Sequence, residues 1–421
     1  MVTALLHPRT KGLKDSVTLA VNERSQRLIA GGGEVYKFGL GQSPFPVPDI
    51  LVESLRKNAH QKDYLPVRGL NALRETVADW FDRKYCLDFN PEHILVSPGS
   101  KELLFLIQMA VDAVLILPSP SWVSYEPQSK LAGNATIWVD TEESGDWCLE
   151  PKALANVCRR LEGRTGMLLL NYPNNPTGVS YTATQLQSLA EVARKYGLLV
   201  ISDEIYGGVD HADGHQSIAS YYSEATIVTT GLSKWCGAGG WRLGVAAFPE
   251  QLSELANVVA SLASETYTSV SAPIQYAAVK AFEPSQELDD YLARSRMVLR
   301  VVQDHVRTRL RSLGLTMPIG RGGFYLFCNF EHYREALARR GIKTSESLVE
   351  ILLKETGVAV LPGSAFGRPP QELTLRLSYV DFDGDEALSQ ANRLSQPEIF
   401  SSVFSKIEQG IEKLATWLVD R

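Results

Sequence analysis

The sequence of 421 residues is 44% hydrophobic and 21% charged, with a formal net charge of −6 at pH 7, which is typical of a globular protein. It contains no basic block and its seven histidines lack metal-ligand spacing, so neither nucleic acid nor a metal ion is expected as a partner. No apolar run approaches the ~20 residues of a membrane span, so no membrane partner is expected. The first residues lack a signal-peptide pattern, and the five cysteines are widely spaced without a C-x-x-C motif. These features predict a reduced, cytoplasmic location.

The middle of the chain alternates short apolar runs with amphipathic stretches. The apolar runs lie at residues 93–97, 114–117, 166–170, 198–201, 226–229 and 243–248. Because each run is brief and apolar on both faces, the pattern predicts buried strands of a mostly parallel sheet. Apolar residues at helical spacing in residues 184–196 predict one of the intervening helices. The alternation indicates a doubly wound α/β domain, whose ligands bind at the carboxyl ends of the strands.

The pattern changes after about residue 285. Residues 288–313 predict one long helix, and residues 323–328 and 373–380 predict strands of a smaller α+β domain. A chain of this length is expected to divide into two units. We therefore predict a large domain at residues 50–290 and a small domain formed by residues 1–49 and 291–421, with a pocket at their interface.

Two motifs at predicted strand ends could bind an anion or present an amide. In S-P-G-S-K-E-L-L-F (residues 97–105), Gly99, Ser100 and Lys101 lie where a strand ends and a helix begins. Free N–H groups at that helix start form an anion site, although a plain strand–helix turn is the alternative. In N-Y-P-N-N-P-T-G (residues 171–178), Asn175 precedes a proline and is therefore extended, so that its amide can face a crevice. A surface turn is the alternative there.

Three further motifs carry ionisable side chains. In S-D-E-I-Y (residues 202–206), Asp203 and Tyr206 follow a predicted strand, and a buried carboxylate needs a partner. In residues 230–244, Lys234 is a candidate nucleophile and Arg242 a candidate anion clamp. In L-T-L-R-L-S-Y, Arg376 alternates with apolar residues and should pair with a carboxylate. Each has an ordinary structural alternative: a helix cap, a solvated lysine or an internal ion pair.

Together these residues form the set that enzymes dependent on pyridoxal phosphate (PLP) require. Such enzymes need a lysine that bonds to the cofactor aldehyde and an acidic partner for the pyridine nitrogen. The sequence resembles the class I/II aminotransferases, PLP enzymes of fold type I, from about residue 37 to residue 381. The resemblance is carried by the ordered motifs G-L-G-Q-S-P-F-P, D-Y-L-P-V-R-G-L-N-A-L-R, S-P-G-S-K-E, P-S-W-V-S-Y, N-N-P-T-G, S-D-E-I-Y, S-K-(x)7-R and L-R-L-S.

The resemblance implies a role for each candidate residue. As catalytic residues it implies Lys234, Asp203 and Tyr206, the last of which, with Asn175, donates to the ring 3-oxygen. As further cofactor-binding residues it implies Gly99, Ser100, Lys101, Ser233 and Arg242 at the phosphate, Trp122 stacked on the ring, and Tyr64 reaching the phosphate of the neighbouring subunit in a homodimer with shared active sites. Tyr125 would be a partner of the aspartate. For the substrate carboxylate it implies Arg376, Gly41 and Asn175.

The sequence departs from the family pattern at the phosphate. Many relatives have a serine where this chain has Gly231, and Lys101 could compensate for the missing hydroxyl. Donor specificity stays open between aspartate and an aromatic or other amino acid. Glu265 lies near the place where dicarboxylate-specific relatives have an arginine, which speaks against that way of recognising aspartate. Lys14 falls close to an N-terminal lysine of another branch, and exposed loop charge is the alternative for both residues. Aromatic residues could instead favour an apolar side chain; the candidates are Tyr36, Phe45 and Tyr267.

The predicted reaction is a ping-pong transamination between an L-amino acid and a 2-oxo acid, with 2-oxoglutarate as the expected acceptor. Lys234 would act as the general base at the α-carbon. A lyase or cyclase of the same fold stays an alternative, because these share the PLP motifs. A non-catalytic effector-binding domain is the second alternative, and the lack of a basic helix-turn-helix pattern before residue 40 disfavours it.

Overall fold

The computed structural model describes residues 7–11, 13, 17–212 and 214–419. Lys14 lies outside the described residues. Within them, the strands are β1 (Tyr36–Lys37), β2 (Ile94–Ser97), β3 (Val114–Ser119), β4 (Thr136–Asp140), β5 (Gly166–Asn171), β6 (Leu199–Asp203), β7 (Thr226–Gly231), β8 (Gly244–Ala247), β9 (Tyr325–Asn329), β10 (Val358–Ala359), β11 (Leu361–Pro362) and β12 (Thr374–Ser378).

The α-helices lie between and after these strands. In chain order they are α1 (Val17–Ala30), α2 (Asp49–Asn58), α3 (Asn71–Tyr85), α4 (Ser100–Ala110), α5 (Tyr125–Ala132), α6 (Pro151–Arg159), α7 (Ala183–Tyr196), α8 (Ser253–Ser264), α9 (Ala272–Phe282), α10 (Gln286–Ser312), α11 (Arg334–Arg339), α12 (Ser345–Thr356), α13 (Gly384–Ser389), α14 (Pro397–Val403) and α15 (Ser405–Val419). Among the helices of the described residues, none is long and apolar enough to cross a membrane.

Within the described residues, the large sheet has seven strands in the order β2-β8-β7-β6-β5-β3-β4. The pairs from β7 through β4 are parallel, whereas β8 runs antiparallel to both β7 and β2. Because β2 therefore runs in the same direction as β5, β6 and β7, the carboxyl ends of these four strands lie at one edge. The predicted doubly wound, mostly parallel sheet is confirmed.

Alternate residues of the central strands pack on opposite faces of the sheet, as the period of two requires. On one face Leu115, Leu169 and Ile201 pack in a core cluster that includes residues of α4 and α8. On the other face Ile116 and Leu168 join a cluster that includes residues of α6 and α7. Burial on both faces explains why the predicted strands were continuous apolar runs rather than alternating ones.

The C-terminal part forms smaller sheets. Strands β11, β12 and β9 pair antiparallel, and β1 pairs with β10, which joins the N-terminal segment to the C-terminal part of the chain. Helix α10 is continuous across residue 290, the predicted domain boundary. The sequence predicted the strands at 325–329 and 374–378 within three residues at each end, but it missed β4 in the large sheet.

A pair of glycines brings β7, β8 and the start of α4 close together. Gly231 and Gly244 are register partners. A Cβ at Gly231 would lie 2.6 Å from Leu243 O and 2.9 Å from Gly244 Cα, and one at Gly244 would overlap Ser100 N. These are backbone atoms, so a side chain would displace a strand or the first turn of α4. Position 231 therefore has no room for the serine hydroxyl of many relatives.

Replacing Gly231 with alanine should destabilise the apoprotein by about 2 kcal/mol, because overpacking against backbone forces the strands apart. Gly240→Ala is the matched control, since a Cβ there has no neighbour within 4 Å; it should change stability by less than about 0.5 kcal/mol. Urea unfolding of the cofactor-free proteins measures both values. Equal unfolding midpoints for the two variants would contradict the close approach.

Candidate active site

A cavity of about 220 Å³ opens at the carboxyl edge of the large sheet, against the small sheet. Its lining comes from the carboxyl ends of five strands of the large sheet, from two strands of the small sheet and from the N-terminal segment. The lining residues are Leu40, Gly41, Ser100, Lys101, Trp122, Tyr125, Asn171, Asn175, Asp203, Ile205, Tyr206, Ser233, Lys234, Arg242, Tyr325 and Arg376.

The cavity brings together most of the residues that the sequence singled out. The predicted residues in its lining are Gly41, Ser100, Lys101, Trp122, Tyr125, Asn175, Asp203, Tyr206, Ser233, Lys234, Arg242 and Arg376. Gly99 immediately precedes the lining at the start of α4, and a Cβ there would overlap the Arg242 guanidinium. Tyr64 lies outside the lining, and its side chain is 91% exposed.

Asp203 is buried at the end of β6 and is held by three donors. The Tyr125 hydroxyl donates to Asp203 Oδ2 at 2.7 Å, and the Thr229 hydroxyl donates to Oδ1 at 3.2 Å. The Ile205 N–H donates to Oδ1 at 3.4 Å. Burial raises the pKa of Asp203 to about 6, while these three donors act in the opposite direction. The carboxyl group is therefore mostly ionised at neutral pH and lines the cavity as an anion.

Lys234 extends from the loop after β7 into the same cavity. Its Nζ donates to the Gly41 carbonyl at 2.6 Å and lies 5.5 Å from the centre of the Tyr206 ring. Burial, with smaller contributions from Arg376 and Arg242, lowers the pKa of Lys234 to about 8, and Asp203 acts in the opposite direction. A substantial fraction of the amine is therefore neutral near neutral pH, as a nucleophile or general base requires.

Arg376 reaches the cavity from β12. Its guanidinium donates from Nη1 to Asn175 Oδ1 at 2.9 Å and from Nη2 to Gly39 O at 2.6 Å. Arg376 Nε is buried without a hydrogen-bond partner among the described residues. The guanidinium also lies over the rings of Tyr325 and Phe366, with its Cζ 4.5 and 5.2 Å from their centres. A buried cation whose hydrogen bonds go to neutral groups is ready to bind a carboxylate.

Cations gather around the first turn of α4. Gly99 adopts a left-handed φ of 93° there and provides no side-chain cap, so the first-turn N–H groups are open to an anion. Arg242, also left-handed with a φ of 55°, donates to Gly239 O at 2.9 Å and to Pro98 O at 3.2 Å. The Lys101 amine lies 5.2 Å from the centre of the Trp122 ring; burial, and then Arg242, lowers the pKa of Lys101.

The sequence analysis predicts no role for four residues of the lining, Leu40, Asn171, Ile205 and Tyr325, and the last three of these are close to the predicted residues. Tyr325 was noted only as part of a strand, yet its hydroxyl lies 2.7 Å from the Tyr206 hydroxyl. Asn171 donates to the Asp203 carbonyl at 2.8 Å and accepts from the Asn175 N–H at 2.9 Å. For Asn171 the signal was present, because it ends a buried strand at the edge where the ligand-binding residues meet.

The residues weighed for donor specificity lie away from the cavity lining. Tyr36 is buried and donates to Glu34, and burial, followed by Glu34, raises the pKa of Tyr36 to about 12. Phe45 packs edge-on against Phe382 in the core. Tyr267 donates to Val96 O at 3.0 Å, and Glu265 is exposed on the surface. The described residues therefore give no support to an aromatic pocket formed by these three rings.

Comparison with known proteins identifies the family. The model of "Aminotransferase class I and II" matches residues 34–391. The chain belongs to this family. It is 35% identical over 384 residues to an aspartate aminotransferase of Geobacillus stearothermophilus, covering 89% of this chain and 94% of the relative. It is 30% identical over 410 residues to the aspartate/prephenate aminotransferase of Thermus thermophilus, covering 95% and 99%.

The solved structures agree. An aspartate aminotransferase from Thermus thermophilus, determined with maleate, superposes with a TM-score of 0.82 at 30% identity and covers 94% of this chain and 99% of that one. The fold is thus that of the fold type I PLP enzymes, as expected. The chain is a PLP-dependent aminotransferase that acts on amino acids and 2-oxo acids.

The cavity residues fit pyridoxal phosphate on their own chemistry. The uncapped start of α4, with Arg242 and Lys101 beside it, offers donors and positive charge for a phosphate. Asp203 offers a buried carboxylate for a protonated ring nitrogen, and Lys234 offers an amine with a lowered pKa for the aldehyde. Each functional group of the cofactor therefore has a matching group in the lining.

The Lys234 amine should lose its proton near pH 8 in the apoprotein, because burial disfavours the charged form. Exposed lysines should do so at about pH 10.4. NMR titration of ¹³C-dimethylated lysines measures these midpoints, and the resonance absent from Lys234→Ala identifies the group. A Lys234 midpoint among those of the exposed lysines would show that the cavity does not desolvate the amine.

Proposed function

We propose a role for each cavity residue in transamination. Gly99, Ser100, Lys101, Ser233 and Arg242 hold the cofactor phosphate. The proposal is supported by the clustering of N–H donors and cations at the start of α4.

The cofactor ring would lie against Trp122, whose own ring meets Tyr125 edge-on at 5.2 Å. Asp203 binds the ring nitrogen, and Asn175 and Tyr206 donate to the ring oxygen. The observation that carries the assignment is the placement of one carboxylate, Asp203, with the amine of Lys234 and the guanidinium of Arg376 in one cavity, each of them buried or partly buried.

Each protein group then has a defined task in the reaction. Bound pyridoxal phosphate supplies an aldehyde that captures the substrate amine and a ring that withdraws electrons from the α-carbon. Lys234 Nζ removes the proton from the α-carbon, and its lowered pKa keeps a neutral fraction ready for this step. Asp203 holds the ring-nitrogen proton in place. Arg376 binds the α-carboxylate, which fixes the α-carbon relative to Lys234.

Aspartate is the proposed amino donor, with 2-oxoglutarate as the acceptor. The proposal is supported by relatives that bear the name aspartate aminotransferase and by the solved relative determined with maleate, a dicarboxylate.

Adding L-aspartate to the holoenzyme should convert the cofactor to its amine form, and 2-oxoglutarate should restore the original spectrum. The value of kcat/KM for aspartate should exceed that for tyrosine at least about tenfold, because a cavity of about 220 Å³ that also holds the cofactor leaves little room for a large aromatic side chain. Stopped-flow absorbance measures both donors. Lys234→Ala should abolish the conversion, whereas Lys280→Ala, which changes an exposed lysine paired with Glu283, should not. Preference for tyrosine would overturn the donor assignment.

A homodimer with shared active sites completes the proposal. Tyr64 is 91% exposed, and the family resemblance assigns it to the phosphate of the neighbouring subunit. A large aromatic side chain with this exposure is consistent with a contact made by a second copy of the chain.

Mixing two inactive or weakened variants tests whether each active site contains residues of both subunits. A Lys234→Ala subunit keeps Tyr64, and a Tyr64→Phe subunit keeps Lys234, so their mixed dimer has one intact site out of two. Refolding them together at equal concentration should give about one quarter of wild-type activity from the mixed dimers, which are about half of the total, plus about one quarter of the activity of Tyr64→Phe alone. Activity equal to the average of the separate variants would contradict a shared site.

The proposed domains are residues 50–290 and residues 1–49 with 291–421. The division is supported by the large sheet, which lies within residues 94–247, and by the β1–β10 pairing of the two ends of the chain. A cytoplasmic location is also proposed, and the free state of all five cysteines supports it.

A further inference from the structure

Tyr325 contacts three parts of the cavity at once. Its hydroxyl lies 2.7 Å from Tyr206 Oη. Its ring faces the Arg376 guanidinium, with the Arg376 Cζ 4.5 Å from the ring centre. Its hydroxyl also fills the space beside Gly41, since a Cβ at Gly41 would overlap it. The side chain is 1% exposed, so none of these contacts is shared with bulk water.

These contacts join segments that are distant in sequence. Tyr325 belongs to β9 of the small sheet, whereas Tyr206 follows β6 of the large sheet. Arg376 lies on β12, which pairs with β9, and Gly41 belongs to the N-terminal segment, where its carbonyl accepts from Lys234. The Tyr206–Tyr325 hydrogen bond is therefore a direct link between the two sheets at the cavity.

The direction of this hydrogen bond depends on what Tyr206 binds. Each hydroxyl has one proton, and in the free cavity either can be the donor. Burial raises the pKa of both tyrosines, so both keep their protons at neutral pH. Once Tyr206 donates its proton to an anionic oxygen in the cavity, only Tyr325 can donate across the pair.

Charged groups approach the pair from three other elements. Arg376 faces it from β12, Lys234 from the loop after β7, and Asp203 from the end of β6. Arg376 favours the anionic character of both hydroxyls, which makes Tyr325 a stronger donor. A chain of two hydroxyls next to a cation strengthens the terminal donor, because successive hydrogen bonds polarise each other.

We propose that Tyr325 is a positioning residue whose hydroxyl donates to Tyr206 Oη and so holds the Tyr206 proton toward the ring oxygen of the bound cofactor. This rests on the proposed function of the cavity. Without the Tyr325 hydroxyl, Tyr206 keeps its proton but loses the donor that polarises and orients it. The ring oxygen of the bound cofactor then becomes more basic. The proton that this oxygen shares with the Lys234 nitrogen bonded to the cofactor is therefore released at higher pH.

Tyr325→Phe tests the proposal, because it removes the hydroxyl and keeps the ring under Arg376. The matched control is Tyr222→Phe. Tyr222 is also buried, donates to Leu198 O at 2.9 Å and has the Arg194 Cζ 5.1 Å from its ring centre, but lies outside the cavity lining. Spectrophotometric pH titration of the holoenzyme, without substrate, measures the midpoint of the cofactor's visible absorption change.

The midpoint should rise by about half a pH unit in Tyr325→Phe, which corresponds to one hydrogen bond of ordinary strength. It should stay at the wild-type value in Tyr222→Phe. A second measurement needs no turnover: the apoprotein of Tyr325→Phe should bind pyridoxamine phosphate about threefold more weakly, again unlike the control. A midpoint and an affinity equal to those of the wild type would overturn the proposal.

A double-mutant cycle separates this role from a general effect of the substitution. If Tyr325 acts through Tyr206, adding Tyr325→Phe to Tyr206→Phe should produce no further shift of the midpoint. If Tyr325→Phe shifts the midpoint equally in the wild type and in Tyr206→Phe, the effect arises from the surroundings of Arg376, and the proposal is overturned. Absence of a cofactor band in the wild-type protein would instead contradict the proposed function of the cavity, which distinguishes the two failures.

Discussion

The buried carboxylate of Asp203 imposes the main constraint on the cavity. A charge at the end of a strand that is covered on both faces is costly unless donors and an opposite charge surround it. The protein meets this cost in part with the hydroxyls of Tyr125 and Thr229, and the pKa of the carboxyl still rises to about 6. Under the proposed function, a protonated pyridine ring would supply the cation that this carboxylate lacks. The same water-poor surroundings lower the pKa of Lys234 to about 8, so one physical cause prepares both groups.

The cations of the cavity lie on separate structural elements around this carboxylate. Arg242 and Lys101 lie at the start of α4, where the helix N-terminus adds to their field. Arg376 lies on the small sheet, and its bond to Asn175 crosses to the loop after β5. The glycines at 231 and 244 are what allow α4 to begin this close to the sheet edge. Small residues in the fold thus determine where the large charged side chains can meet.

Two hydrogen bonds at the cavity join the small sheet to the large sheet. The Arg376–Asn175 and Tyr325–Tyr206 bonds each connect a strand of the small sheet to a loop of the large one. A ligand that binds both sheets completes contacts that are partly formed in its absence, such as those of the buried Arg376 Nε. The proposed carboxylate site at Arg376 and the proposed cofactor site are therefore joined directly by the hydrogen bond from Arg376 to Asn175.

The sequence alone determined the architecture of the large domain and most of the cavity. Buried parallel strands must be apolar on both faces, and their polar residues must follow at the carboxyl ends, so Asn175, Asp203 and Lys234 could be found from local pattern and motif. The family resemblance implied Tyr125 as a partner of Asp203, but tertiary structure decided most of the other contacts of these residues. Tyr325 reads as one more aromatic residue in a strand, and only the packing of β9 against the large domain brings its hydroxyl to Tyr206. Likewise, the missing serine at Gly231 has a reason only when Leu243 O and Gly244 Cα are seen against it, because strand register and sheet approach depend on residues far apart in the chain.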